Sequence, residues 1–177
     1  MYTLYYCEIP TVLGTMLAVA DENFLHLLEF VDCTDLSDKI RRLQQQTRSK
    51  LVFGMTSPLL AIQQELSAYF SGELRTFKTP FLLAGSDFQN MVWQVLYSIP
   101  YGTLKSYSEL AFMLERPKAY RAVAHANATN QIAILIPCHR IVRNNGQLAG
   151  YNGGIKRKAW LIAHEQKTGS GGSSNRN

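Results

Sequence analysis

The first thirty residues alternate short apolar runs with polar turns. Apolar runs at 4–9, 16–20 and 24–30 are separated by turn residues at Leu13–Gly14 and Asp21–Asn23. Short extended runs with tight connections are typical of antiparallel strands. The pattern therefore predicts a small antiparallel sheet at the N-terminus.

Two amphipathic helices are predicted to follow this sheet. Residues 35–46 place leucine and isoleucine at helical spacing, with arginine and glutamine on the remaining faces. The pair Ser57–Pro58 predicts the start of a second helix, with the serine as N-cap and the proline at the first helical position. Gly72 ends that pattern, and residues 73–85 are typical of a connector.

The second half of the chain is patterned mainly as helices. Ser86 with Gln89, and Ser106 with Glu109, have the spacing of a capping box, in which each side chain bonds to the backbone N–H of the other residue. The second box opens a short helix, and a turn near Pro117 leads into a further helix from residue 118 to about 128. Two short helices joined by a tight turn indicate a helix-turn-helix.

Three more elements complete the pattern. The unbroken apolar run 132–136 predicts a buried strand, and Asn144–Gly146 indicates a hairpin or wing. A final helix is predicted from Ile155 to about Gln166. This order of elements predicts an α+β protein with domains over residues 1–85 and 86–168, followed by a flexible low-complexity tail over residues 169–177.

Composition narrows the class of protein. The chain has 177 residues, of which 46% are hydrophobic and 18% charged, as in globular rather than disordered proteins. No apolar run approaches the roughly 20 residues of a membrane helix, and the N-terminus shows no secretory signal pattern. We therefore expect a soluble cytoplasmic protein that does not bind a membrane.

Charge is divided unevenly along the chain. Residues 1–90 carry seven lysines and arginines against ten acidic residues, a net charge of −3, whereas residues 91–177 carry eleven against three, a net charge of +8. A strongly basic half indicates contact with a polyanion. A solvated basic surface is the alternative that charge alone leaves open.

Only one of the three cysteines stands in a reactive setting. Cys7 and Cys33 occupy ordinary strand-like and loop contexts, and three scattered cysteines provide neither a disulfide framework nor metal-ligand spacing. Cys138 is followed directly by His139 and Arg140. Neighbouring cations favour the thiolate, which is the nucleophilic form of cysteine.

His139 and Glu165 are candidates to activate this thiol. Side chains of adjacent residues diverge, so His139 reaches Cys138 more easily through a bound water than directly. Glu165 lies on the apolar flank of the last predicted helix, where a carboxylate is costly unless it is paired, so it is a candidate to orient the histidine. A solvated helix end is the alternative for Glu165.

Several spaced motifs together resemble one protein family. The run Ile134-Leu-Ile-Pro-Cys-His-Arg140 is joined by Tyr151-Asn-Gly-Gly154, Trp160-Leu161 and His164-Glu165, with further matches between residues 88 and 123. This arrangement strongly resembles the 6-O-alkylguanine-DNA alkyltransferases, also called methylated-DNA–protein-cysteine methyltransferases. The resemblance is dense over residues 86–166 and covers the first 85 residues only in layout.

The resemblance implies DNA repair by direct and irreversible transfer. The thiolate of Cys138 would attack the alkyl carbon on the oxygen at position 6 of guanine, and the oxygen at position 4 of thymine is a further candidate. His139, through water, would take the thiol proton, while Glu165 would hold the imidazole. A thioether has no easy hydrolytic exit, so each molecule would act once. The target nucleotide must first be rotated out of the duplex.

The resemblance also assigns residues that contact DNA. The second helix of the helix-turn-helix would enter the minor groove, where small side chains such as that of Ala122 allow close approach. Arg121 matches the arginine that fills the vacated stack, and Tyr107 matches the tyrosine that helps rotate the nucleotide. Asn130 matches a hinge asparagine, which we place with the catalytic residues. The other residues assigned to DNA or substrate are Arg140, Tyr151 and Asn152.

For the whole molecule, the family implies a ribonuclease H-like first domain with a small antiparallel sheet and helices. The second domain would be helical and winged-helix-like. The implied partner is double-stranded DNA that contains alkylated guanine. We expect a monomer without a cofactor, and no structural metal, because Cys7 and His26 lack two further ligands.

The chain departs from the family pattern at four positions. Ala124 and Ala128 stand where glycine is frequent, His125 replaces a small residue, and Gln131 stands where proline usually follows the asparagine. We expect these side chains to affect DNA affinity and the range of alkyl groups more than the chemistry.

Two other function classes stay open at this point. A lesion sensor would bind alkylated bases without transfer, although relatives of that kind lack the cysteine. A cysteine hydrolase would need a histidine that reaches the thiol across a cleft, whereas a sequence neighbour points away.

Overall fold

The computed structural model describes residues 1–170, which form two compact units. The first unit comprises residues 1–90 together with 131–135, and the second comprises residues 91–130 together with the described residues from 136 onwards. The last part of the tail predicted from the sequence, residues 171–177, lies outside the described residues. The domain limits at residues 85 and 168 stay a prediction.

The first unit contains a four-stranded sheet. Its order along the sheet is β3-β2-β1-β4, with β1 antiparallel to β2 and β2 antiparallel to β3. These three strands confirm the prediction for the first thirty residues. The elements of this part of the chain are β1 (Tyr2–Ile9), β2 (Met16–Ala20), β3 (Leu25–Phe30), α1 (Leu36–Thr47), β4 (Ser49–Phe53) and α2 (Ser57–Phe70).

The fourth strand corrects the prediction of a purely antiparallel sheet. β4 pairs in parallel with β1, with Tyr2 opposite Ser49 and Tyr6 opposite Phe53, so the sheet is mixed. β4 lies at the edge of the sheet, and Phe53 is 75% exposed. An edge strand that is largely exposed needs no strict alternation of apolar and polar residues, which is why the pattern does not reveal it.

Apolar side chains of the sheet pack against both helices of this unit. Leu4, Val19 and Leu27 of the sheet form a buried cluster with Leu43 of α1, and α2 contacts β1 and β2. α2 begins one residue earlier than its pattern predicts. Its N-cap is Thr56, so the prediction of a serine N-cap with proline at the first helical position is wrong.

The rest of the described chain is mainly helical. Both predicted capping boxes are present, at Ser86 with Gln89 and at Ser106 with Glu109. The helix predicted from residue 118 is instead a 3-10 turn at Pro117–Ala119 followed by an α-helix. The elements are α3 (Asp87–Tyr97), β5 (Lys105–Ser106), α4 (Tyr107–Met113), α5 (Tyr120–Ala128), β6 (Ile141–Val142) and α6 (Ile155–Gly169).

Two predictions around the reactive cysteine are wrong in detail. Residues 132–136 are buried but form only isolated bridges, because Ile134 adopts a left-handed backbone with φ +71° that interrupts an extended chain. The predicted hairpin has its turn, closed by a hydrogen bond from Gly146 N–H to the Arg143 carbonyl. β6, however, pairs in parallel with β5 and not with the chain after the turn.

The second unit has a core of its own. Trp93 of α3 is buried, and its ring N–H donates to the Ala126 carbonyl of α5 at 2.8 Å. Val123 of α5 and Leu161 of α6 are also fully buried. Among the residues described, no helix is both long and apolar enough to cross a membrane.

Candidate active site

Cys138 begins a single turn of 3-10 helix, Cys138–Arg140, directly after Pro137. The turn is held by hydrogen bonds from Cys138 N–H to the Ile136 carbonyl and from Arg140 N–H to the Pro137 carbonyl. All three side chains of the turn are buried. Because successive residues of such a turn point in different directions, each side chain meets different partners.

The Cys138 sulfur receives a hydrogen bond from Asn130. The Asn130 side-chain N–H donates to Cys138 Sγ at 3.2 Å and to the Ile136 carbonyl at 2.9 Å, and Asn130 is itself buried. A donor aimed at sulfur stabilises the negative charge of a thiolate. The structure thus joins two of the residues that the sequence assigns to catalysis.

His139 points away from the sulfur towards α6. Its Nε2 lies 2.7 Å from Oε1 of Glu165. The same carboxylate accepts hydrogen bonds from Arg140 Nε at 2.8 Å, from Arg140 Nη2 at 3.0 Å and from Gly102 N–H at 3.1 Å. Arg140 Nη1 donates to the Ile99 carbonyl. Glu165 is 1% exposed, so its charge is fully paired inside the protein.

The protonation states of this pair follow from its surroundings. Burial lowers the pKa of His139, and the hydrogen bond to Glu165 opposes this shift only in part. Burial alone would raise the pKa of Glu165, but the hydrogen bonds from His139 and Arg140 outweigh it and lower that pKa. The imidazole is therefore neutral beside an ionised carboxylate.

A neutral His139 carries one ring proton, and Glu165 fixes its place. Because the ionised carboxylate can only accept, Nε2 carries the hydrogen and Nδ1 keeps a lone pair. Nδ1 is buried and has no hydrogen-bond partner among the described residues. Nδ1 of His139 is therefore a buried acceptor with a free lone pair, and its role as a base stays a prediction.

Three of the predicted substrate residues lie at the start of α4 and in the segment before α6. Tyr107 is the first residue of α4, and its hydroxyl donates to the Ala149 carbonyl at 3.3 Å. Burial raises the pKa of Tyr107, and the charge of Cys138 adds to the effect. Tyr151 is buried and Asn152 half-buried in the segment that leads into α6.

Arg121 and Ala122 are exposed on α5. The Arg121 guanidinium carbon lies 5.8 Å from the centre of the Tyr120 ring, and its Nε donates to the Tyr120 hydroxyl at 3.3 Å. Their exposure leaves both residues available to an outside partner.

Arg140 is placed differently from Arg121. It is 6% exposed, and its guanidinium nitrogens donate to Glu165 and to a backbone carbonyl. These contacts favour a role in supporting the Glu165 carboxylate over the direct DNA or substrate contact expected from the sequence.

Lys158 of α6 is a site residue that sequence reasoning missed. It is fully buried, and its Nζ donates to the Ile141 carbonyl and, at 2.8 Å, to the Ala149 carbonyl. Burial lowers the pKa of Lys158 to about 8, while the negative charge of Cys138 opposes the shift. The signal was available, because Lys158 falls at helical spacing on the same face as Leu161 and Glu165.

The other two cysteines differ from Cys138. Both are buried in the first unit, where burial raises the pKa of Cys7, and burial together with the Glu29 charge raises that of Cys33 to about 12. Thiols in such surroundings stay protonated and inert. Within residues 1–170, no cluster of three or more histidine, cysteine, aspartate or glutamate side chains could hold a metal ion.

Comparison with known proteins shows the family of this chain. Residues 87–167 match the sequence model of the 6-O-methylguanine DNA methyltransferase DNA binding domain. The chain is similar to the methylated-DNA–protein-cysteine methyltransferase of Salmonella typhimurium, with 38% identity over 89% of this chain and 93% of that protein. It is also similar to the enzyme of the same name from Methanosarcina barkeri, with 36% identity over 92% and 98% of the two chains.

Solved structures extend the likeness to the whole fold. The crystal structure of Mycobacterium tuberculosis O6-methylguanine methyltransferase matches with a TM-score of 0.80 and 35% identity, over 93% of this chain and 94% of that one. The structure of M. tuberculosis OGT in complex with DNA matches with a TM-score of 0.78 and 34% identity, over 94% of each chain. Since sequence identity above one third extends over nearly the full length of both proteins, this chain belongs to the methylated-DNA–protein-cysteine methyltransferase family.

Proposed function

We propose that this protein repairs duplex DNA by moving the alkyl group of a 6-O-alkylguanine onto the sulfur of its own Cys138, once per molecule. One observation carries the proposal. A buried cysteine accepts a hydrogen bond from Asn130 and is followed by a neutral histidine that is fixed on Glu165 and keeps one ring nitrogen free to accept a proton. A nucleophile with an oriented base is the arrangement that covalent transfer requires.

The first step makes the thiolate. A water between the two side chains accepts the Cys138 proton and passes one to Nδ1 of His139, and the Glu165 carboxylate stabilises the imidazolium that results. Asn130 stabilises the sulfur anion by donating to Sγ. Arg140, held on the same carboxylate, keeps Glu165 in place and ionised, and we therefore assign it to positioning.

The second step moves the alkyl group. The sulfur attacks the alkyl carbon and forms a carbon–sulfur bond, while the bond from that carbon to the guanine oxygen breaks. Guanine keeps the electron pair and takes up one proton in place of the alkyl group. The thioether left on Cys138 has no leaving group that water can displace easily, so the protein is consumed stoichiometrically.

DNA engagement is assigned to α4, α5 and the segment before α6. The relative from M. tuberculosis that was solved with DNA supports this partner. We assign Arg121 and Ala122, which are exposed on α5, to the DNA, with Arg121 filling the place of the extruded base. Tyr107, Tyr151 and Asn152 are assigned to the base and its alkyl group.

The finer fold assignments belong to the same proposal. We infer that α4 and α5, joined by a short turn, act as a helix-turn-helix within a winged-helix-like unit, and that the sheet and helices of the first unit are ribonuclease H-like. The residues assigned here all belong to one chain, so we take the acting species to be a monomer, with neither cofactor nor metal.

Substitution of the nucleophile tests the proposal. Intact-protein mass spectrometry after mixing with an O6-methylguanine duplex should show one added methyl group on the wild type and on Cys7→Ser, and none on Cys138→Ser. Cys138→Ser should still bind the duplex. Many repairs per molecule, or a methyl group on Cys7 or Cys33, would contradict the assignment. Lesion binding by the wild type without any mass gain would favour a sensor instead.

A further inference from the structure

Asn127 of α5 is a buried polar residue whose side chain has no hydrogen bond of ordinary geometry. It is 1% exposed, and neither its side-chain oxygen nor its side-chain nitrogen makes a hydrogen bond to any described residue. Asparagine is a poor helix former, and a buried amide without partners costs free energy. Most buried polar groups in proteins are hydrogen-bonded, so an exception calls for an explanation, and a role in catalysis is one that is known.

The polar group that interacts with the Asn127 side chain is the hydroxyl of Tyr107. The Asn127 side chain interacts with this hydroxyl as a hydrogen-bond donor, which opposes the rise in the pKa of Tyr107 that burial and Cys138 produce, although the pair does not reach ordinary hydrogen-bond geometry. The Tyr107 hydroxyl nevertheless donates elsewhere, to the Ala149 carbonyl, at 3.3 Å. That distance is long for a hydroxyl donor, whose hydrogen bonds are typically about 2.7–2.8 Å.

The Ala149 carbonyl does not depend on Tyr107. Lys158 Nζ donates to the same oxygen at 2.8 Å, a shorter distance than the 3.3 Å from the Tyr107 hydroxyl to that oxygen. If the Tyr107 hydroxyl leaves, the carbonyl therefore remains satisfied by a buried cation. Departure of Tyr107 from this site thus leaves no unpaired backbone group behind.

The loop before α6 lies close to the Tyr107 hydroxyl at Gly150. A Cβ atom added at Gly150 would lie 3.1 Å from the Tyr107 hydroxyl oxygen, which is tighter than ordinary contact, and Gly150 has a φ of +65°. The Tyr107 hydroxyl thus lies beside Gly150 and shares its acceptor with Lys158, and of these groups the Asn127 amide is the one without a hydrogen bond of ordinary geometry.

We propose that Asn127 is a positioning residue that donates its side-chain N–H to the Tyr107 oxygen when the Tyr107 hydroxyl leaves the Ala149 carbonyl to donate to the extruded base. The proposal rests on the function proposed above. It deepens that function by giving the base-contacting tyrosine two positions, one in the free protein and one with substrate. No bond is made or broken in this change apart from hydrogen bonds.

The amide has a physical effect in the second position. A phenol that accepts one hydrogen bond becomes a better donor of its own proton, because the two bonds polarise each other. Asn127 thereby strengthens the contact from Tyr107 to the base and fixes the direction of the hydroxyl. The amide, unpaired in the free protein, gains its partner only with substrate, so its contribution appears in the transfer step.

A double-mutant cycle tests this coupling. Asn127→Leu removes both polar atoms and keeps the number and branching of the side-chain heavy atoms, and Tyr107→Phe removes only the hydroxyl. We expect Asn127→Leu to slow single-turnover methyl transfer to Cys138 about tenfold, the size expected for one hydrogen bond. In the Tyr107→Phe background the same substitution should change the rate less than about twofold, because the hydroxyl that it acts on is gone.

Two further measurements separate this role from a structural one. Removal of an unpaired buried amide should leave the melting temperature of Asn127→Leu equal to or above that of the wild type. Affinity for undamaged duplex should stay unchanged, because Asn127 is buried. If Asn127→Leu does not fold, Asn127→Ala carries the same cycle.

The outcomes are distinguishable. A tenfold loss that persists in the Tyr107→Phe background, a lowered melting temperature that accounts for the loss, or no loss at all would overturn the role of Asn127 while leaving wild-type transfer intact. Absence of methyl transfer by the wild type would overturn the proposed function, and the inference with it.

Discussion

At the scale of single residues, the three neighbouring side chains of the 3-10 turn Cys138–Arg140 have different contacts. Cys138 meets Asn130, His139 meets Glu165, and Arg140 meets the same carboxylate from another side. The carboxylate therefore holds the base and is itself held by a permanent cation. This arrangement makes the charge of Glu165 central to both chemistry and stability.

Removal of that charge should therefore affect both properties. Glu165→Gln leaves Arg140 buried without its counter-charge and removes the anion that stabilises the protonated His139. We expect a loss of about 3 kcal/mol in the free energy of unfolding and about a hundredfold slower transfer. Urea unfolding and single-turnover assays measure the two effects.

Glu109→Gln is the matched control for this variant. Glu109 is exposed in the capping box of α4, where glutamine also serves. Both properties should stay close to those of the wild type. Equal effects of the two substitutions would mean that the buried ion pair contributes no more to the free energy of unfolding and to the transfer rate than an exposed carboxylate does.

The lowered pKa of His139 has a consequence for acid stability. In the unfolded chain histidine gains a proton near pH 6.5, whereas in the folded protein burial keeps His139 neutral at that pH. The unfolded state then binds more protons than the folded state. The contribution of His139 to the free energy of unfolding is therefore full above pH 6.5 and falls as the pH is lowered, by up to about 1.4 kcal/mol per pH unit. Carboxylates with lowered pKa values, such as Glu165, add their losses only below about pH 4.5.

Denaturant unfolding between pH 7 and 5 checks this expectation. The slope of stability against pH in the wild type should be smaller in His139→Gln. The same slope in both proteins would show that His139 becomes protonated in the fold, contrary to its burial.

Much of this site could be predicted from the sequence, but the contacts between residues far apart in the chain could not. The pairing of His139 with Glu165 follows from the cost of a carboxylate on an apolar helix face, and the structure contains it. The burial of Arg140 and the hydrogen bonds of Lys158 depend on backbone carbonyls, at Ile99 and Ala149 respectively, that no residue pattern marks.

At the scale of elements, the segment between β6 and α6 sets the position of Tyr107. Three glycines of this segment have positive φ, namely Gly146, Gly150 and Gly154, and only at Gly150 would an added Cβ lie within 4 Å of another side chain. Gly146 and Gly150 therefore form a matched pair. Alanine at either position should cost about 1 kcal/mol of stability from backbone strain. Comparison of the two alanine variants thus separates the effect of backbone strain from the effect of contact with Tyr107.

Gly150→Ala should slow transfer, because its methyl group displaces the Tyr107 hydroxyl. Gly146→Ala, whose added methyl group meets nothing within 4 Å, should lose similar stability and keep the transfer rate of the wild type. Thermal unfolding and single-turnover rates check both variants. A slow Gly146→Ala would indicate that strain in the loop, rather than contact with Tyr107, limits the reaction.

The elements that could be predicted were those with a clear sequence pattern among neighbouring residues. Capping boxes at Ser86 and Ser106 fixed two helix starts, because the hydrogen bonds involved lie within four residues. β4 and the interruption of the predicted strand at 132–136 were not predicted. Their conformations depend on parallel pairing with β1 and on the left-handed backbone of Ile134, and neither leaves a mark in the apolar pattern.

At the scale of the whole molecule, the uneven charge predicts how DNA binding responds to salt. Lys118 and Arg121 are exposed in the basic half, and Arg42 and Lys50 are exposed in the acidic half. The double variant Lys118→Gln, Arg121→Gln should weaken binding to undamaged duplex and lower the slope of log affinity against log salt by about 1 to 2.

The double variant Arg42→Gln, Lys50→Gln removes the same formal charge and should leave this slope unchanged. Fluorescence anisotropy at several salt concentrations measures both proteins. Equal changes would show that total charge, rather than its place on the chain, governs the encounter with DNA.

The allocation of residues 131–135 to the first compact unit limits how the protein can be dissected. Gln131 and Ala133 exchange backbone hydrogen bonds with Leu28, although the chain reaches them only after α5. No single cleavage separates the two units, so a fragment that starts at residue 86 carries these five residues without their β3 partner. Such a fragment would expose unsatisfied peptide groups on an apolar stretch and invite aggregation. Truncated forms are thus poor surrogates, and labels or tags for following repair are better attached to the intact polypeptide.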